Sequence, residues 1–233
     1  PGRSTDMSGR SGFWRQTFAI ARRDLMIESR GGEVFGVVLP FAAVAVFVVP
    51  LATDALATRL DQLAFPVFWL VGLLFGMQVA LRQTGTETLI QRRTLALLGI
   101  DPAARFAGRS LAAAALTTGV MIVIAPLVVL FYDPRAIPSI GPSFLAVVGF
   151  SVGLSMLSTL AGDVTVGLRT RSSLAPLIVA PISVPLLIGA SQTLESLILD
   201  RSTMAPALLL TVTVLSLAVT GVLTAPALED ATT

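Results

Sequence analysis

The chain has 233 residues, 54% of them hydrophobic and 13% charged, with a net charge of +2. A soluble domain carries about 25% charged residues, so this composition cannot cover a water-facing surface and places the chain in a bilayer. All 16 basic residues are Arg, and Lys, His, Cys and Asn are absent. That excludes disulfides, thiolate chemistry, a Lys-dependent phosphate loop, and the usual zinc and haem axial ligands.

The arginines flank apolar stretches instead of forming a basic patch, so the positive excess reads as membrane topology and not as nucleic-acid binding. Residues 1–12 are polar and Gly-containing and are expected to be a disordered tail. Residues 13–228 read as one membrane domain, and 229–233 as a C-terminal tail. Within 13–30, Phe13, Trp14, Thr17, Phe18, Ala21 and Leu25 fall on one helical face while Arg15, Arg22 and Glu28 lie elsewhere. This pattern predicts an amphipathic helix at the membrane interface.

Charge-free stretches follow at 34–53, 62–81, 110–132, 136–162, 172–194 and 202–228, with lengths of 20, 20, 23, 27, 23 and 27 residues. A helix needs about 20 residues to cross about 30 Å of hydrocarbon, so six transmembrane helices are predicted. With the N-terminus in the cytoplasm, 13 arginines fall inside and 3 outside. The bias predicts that both termini are cytoplasmic. It also explains Arg169 and Arg171, which hold the loop between the fourth and fifth spans on that side.

The cytoplasmic stretch 82–109 carries helix signals of its own. Thr84 and Glu87 have capping-box spacing, Gly99 is a helix stop, and Asp101-Pro102 restarts a helix as cap and first turn. A short helix is therefore expected over 85–98, bearing Glu87, Gln91, Arg92 and Arg93, placed to rest on lipid headgroups or dock on a partner. The outer loops are about ten residues each and too short for a domain.

Inside the predicted spans there is no charged residue, and away from their ends the polar groups are Gln78 with scattered Ser and Thr. Such groups read as helix-packing elements. Asp163 ends the fourth charge-free stretch and is expected at the interface, pairing with Arg169. Gly72 and Gly76, and Gly149 and Gly153, have small-residue packing spacing. Pro176, Pro181 and Pro185 in the fifth span predict kinks. No nucleophile–base pair, metal cluster or phosphate loop is visible, so an enzyme is not expected. Any energy for transport must come from a partner.

The "FWR" and "RRDL" of the first helix, "TTGVMIVIAPLVVL" in the third span, "TVGLR" (Thr165, Gly167 and Arg169 within it) and the proline-punctuated "APISVPLLIGA" make the chain similar to the haem exporter protein B family (CcmB). The resemblance covers about residues 13–228. It implies an ABC-2-type permease-like fold in the bacterial cytoplasmic (inner) membrane. It implies as partners a cytoplasmic ABC ATPase that holds the ATP, a tryptophan-rich haem-handling membrane subunit, a small single-span subunit and a periplasmic haem chaperone. Haem would be handled by the complex, with no cofactor bound by this chain. The helix 85–98, with Asp101 and Pro102 behind it, would be the coupling element on the ATPase, and Asp163, Thr165, Gly167, Arg169 and Arg171 would lie on the same face. Where the family carries an acidic cluster, this chain reads Gln91-Arg92-Arg93-Thr94, implying an ATPase surface of different charge. An ABC-2 exporter for a lipid or drug and a membrane scaffold are the alternative readings.

Overall fold

The computed structural model describes residues 5–52, 59–85, 99–134, 136–165 and 171–230. Its elements are α1 (Thr5–Gly31), a π-helical turn (Val34–Val38), α2 (Leu39–Ala52), α3 (Leu60–Gly85), α4 (Pro102–Tyr132), α5 (Ile140–Val164), α6 (Arg171–Ile182), α7 (Val184–Ile198) and α8 (Met204–Asp230). There is no strand among the described residues. The chain is an all-α integral membrane protein. Five helices are long and apolar enough to cross a bilayer, and α6 with α7 forms a sixth crossing bent by 44°. These crossings fall on the six charge-free stretches.

α1 spans Thr5–Gly31, so its helix takes in part of the stretch 1–12, of which residues 1–4 lie outside the described residues. Once a helix is nucleated, each added residue costs little, so even a polar, Gly-containing lead-in can continue it. Gly32 ends α1 in the left-handed region at φ 64°, where glycine has no Cβ penalty. The Glu28 carboxylate then accepts from the backbone N–H of Val34 and so satisfies a free donor at the start of the first crossing.

α4 and α5 form the centre. α4 touches α1, α2, α3, α5 and α8, and α5 touches α3, α4, α6, α7 and α8. The outer helices α2 and α8 bury 22% and 17% of their apolar windows, against 56% for α3 and α5. Lipid tails are as apolar as Leu, so tight van der Waals fit and not water exclusion holds such helices together. Both small-residue pairs serve that fit. A Cβ on Gly72 would stand 2.6 Å from Met121 Cε, and one on Gly76 2.7 Å from Thr117 Cγ2, so this pair seats α3 on α4. Gly149 faces Leu210 and Gly153 faces Leu186, seating α5 on α8 and α7. Trp69 packs its ring 5.1 Å from that of Phe150, and Tyr132 donates to the Val46 carbonyl at 2.9 Å, tying α4 to α2.

The fifth crossing breaks once, at Ser183. Pro185 stands in the first turn of α7, and without an N–H it cannot bond the Pro181 carbonyl four residues back. The Ser183 hydroxyl donates to Ala180 O at 2.7 Å and supports the bend. Pro176 and Pro181 lie within α6, so the three prolines produce a single kink between Pro181 and Pro185. α3 runs unbroken through Gly85. Thr84 is therefore helical and not an N-cap, because continuing an existing hydrogen-bond ladder is cheaper than breaking and renucleating it.

Candidate functional site

The start of α4 packs against α1 on one flank and meets the end of α5 on another. α4 opens on Asp101, whose side chain accepts from Ala103 N at 2.9 Å, with Pro102 at the first helical position. The Asp101 backbone N–H donates to Gln16 Oε1 at 3.1 Å, and the Thr17 hydroxyl donates to Ala104 O at 3.5 Å. Gly108 admits α1 at close range, since a Cβ there would stand 2.7 Å from Thr17 O. On the other flank Phe106 packs into the space left by Gly221 of α8. α1 is thus docked along the first turns of α4, with Thr17 and Ala21 buried while Trp14 and Phe18 of the same expected face stay exposed.

Two arginines are carried inward by this packing. Arg105 is 7% and Arg109 is 1% exposed, and their four-residue spacing sets both on one helical face. Arg109 Nη1 lies 3.2 Å from Asp163 Oδ1. The ion pair joins the start of α4 to the end of α5. α5 then closes on Thr165, which is buried and donates from its hydroxyl to Ala161 O at 2.9 Å. A second ion pair, Glu33 with Arg82, joins the start of the first crossing to the end of α3.

Asp101 and Pro102 therefore cap α4, Asp163 and Thr165 end α5, and Arg171 opens α6. Pro176, Pro181 and Pro185 lie about the bend described above. Glu87, Gln91, Arg92, Arg93, Gly167 and Arg169 lie outside the described residues, as does the stretch 86–98. Asp163 pairs with Arg109, supplied by the first turns of α4; the partner suggested by the sequence, Arg169, lies outside the described residues. Arg105 and Arg109, counted as loop charges, belong to the helix core, so the third crossing carries charge at one end. Gln78, expected to pack between helices, is exposed on α3.

A family model described as CcmB protein matches residues 15–231. The chain belongs to the CcmB family. It is also similar to "Heme exporter protein B" of Rhodobacter capsulatus, with 31% identity over 182 residues, covering 75% of this chain and 80% of that relative. The matched region takes in every crossing and both segments that flank the Arg109–Asp163 pair.

As a CcmB-family chain it is a transporter membrane subunit. Among the described residues no group of acids could hold a metal ion.

Proposed function

We propose that this chain is the permease subunit of an ABC transporter that serves haem delivery for cytochrome c maturation in the bacterial cytoplasmic membrane. The family match over residues 15–231 carries the reading, supported by a relative named for haem export. Lacking a P-loop lysine, the chain takes its energy from a separate cytoplasmic ATPase. The segment 86–98 precedes α4 by a few residues, and 166–170 follows α5. An ATPase pressing on either segment moves both helices, because Arg109 and Asp163 lock them. Haem is the cargo of the assembly, handled by a tryptophan-rich membrane subunit and passed to a periplasmic chaperone. This chain offers no His or Cys to ligate it.

The test is purification of the tagged chain from native membranes in mild detergent, read by mass spectrometry and by haem absorbance. Recovery of an ABC ATPase together with a haem-bearing membrane subunit is expected. An ATPase without haem or a haem subunit would point to an exporter of another cargo, and the absence of any ATPase would leave a scaffold.

A further inference from the structure

Between α1 and α4 lies a groove of about 440 Å³, within the usual range for small-molecule sites, walled by Phe18, Leu25 and Met26 on one side and Leu111 and Ala115 on the other, with Arg22 at its edge. α4 has 31 residues, about 46 Å at 1.5 Å per residue, against about 30 Å of hydrocarbon. If Tyr132 marks the far boundary, the near boundary falls close to Leu111. The groove walls then lie in the first turns within the hydrocarbon, and Arg22 at headgroup depth.

We infer that this groove binds one anionic phospholipid of the arginine-rich leaflet, its acyl chain between α1 and α4 and its phosphate on Arg22. Two independent features argue for that occupant. The trough is apolar and open to the bilayer, where acyl chains are the abundant apolar ligand. Its edge carries an exposed guanidinium, whose planar donors match phosphate oxygens. Arg15 and Arg23 are exposed on the same helix and add a field of the same sign. A zwitterionic lipid would fill the trough but gain less at Arg22. The bound lipid would brace α1 against α4 beside the Thr17–Ala104 contact.

Native mass spectrometry of the purified chain with its co-purifying subunits tests this, after incubation with equal amounts of phosphatidylglycerol and phosphatidylcholine. One phosphatidylglycerol is expected to be retained on this chain with about tenfold preference, as one charge-assisted hydrogen-bonded contact supplies. Arg22→Gln should abolish the preference. Ala115→Trp, which fills the trough from an exposed position, should abolish retention. Arg201→Gln at the opposite end should change neither. Equal retention of the two lipids would overturn the inference. So would equal losses for Arg22→Gln and Arg15→Gln, which would mean diffuse surface charge. Displacement of the lipid by inorganic phosphate, with Ala115→Trp silent, would also overturn it, since the site would then read phosphate alone.

Discussion

Arg109 and Asp163, 54 residues apart in sequence, meet at 3.2 Å across the interface of α4 and α5, with the arginine fully buried. Removing one member of a buried pair leaves a charge without its partner, at a cost of about 3–5 kcal/mol. Asp163→Leu and Arg109→Met should each lower the unfolding midpoint of the detergent-solubilised protein clearly. The double variant should recover much of the loss, because an apolar pair of similar volume needs no desolvation. Additive losses in the double variant would mean that the two side chains act separately.

Gly153 and Gly141 stand on the same helix in opposite situations. A Cβ on Gly153 would lie 2.5 Å from Leu186 Cδ2, whereas one on Gly141 would meet nothing within 4 Å. Gly153→Val should destabilise by about 1–3 kcal/mol through overpacking, while Gly141→Ala should be neutral or slightly stabilising. Thermal unfolding of the two variants side by side checks this.

The 44° bend of the fifth crossing rests on Pro185. Pro185→Ala restores a donor for the Pro181 carbonyl and removes the ring clash. Spin labels at Leu177 and Leu199, both exposed, should then move apart as the crossing straightens. Unchanged label distances would assign the bend to packing against α5 and α8.

Tyr132→Phe removes the 2.9 Å hydrogen bond to Val46 and keeps the ring. A loss of about 1 kcal/mol is expected, read as a small drop in unfolding midpoint with no change in membrane insertion.

The crossings were legible in the sequence because charge is scarce and each charge-free stretch matches the bilayer. The Asp101-Pro102 start of α4 was equally plain, as a cap needs only local chemistry. The ion pair was not. An arginine that snorkels at a helix end and one that is buried look alike in sequence, and the partner of Arg109 comes from another helix. A usable signal existed nonetheless. The Pro102 start puts Arg105 and Arg109 on one face of a helix, and Asp163 is the acid closest to the matching end of α5. The glycine pairs had the right spacing, but spacing alone cannot tell a helix contact from a lipid-facing glycine. Neighbours such as Met121 and Leu186 decide that. The split of the α1 face, with Thr17 and Ala21 inward and Trp14 and Phe18 outward, likewise depends on where α4 lies.

The segment 86–98 bears Arg92 and Arg93 in place of the acidic cluster expected from the family. Arg92→Glu with Arg93→Glu should weaken recovery of the ATPase in the pull-down and leave membrane insertion intact. Undiminished recovery would move the ATPase contact to another segment of the same face.

The most direct test of the central claim is deletion of the gene for this chain in its own host, followed by haem staining of membrane proteins on a denaturing gel. The account predicts that covalently haem-stained c-type cytochromes disappear and return with the wild-type chain. Undiminished haem staining after the deletion would contradict a role in haem delivery.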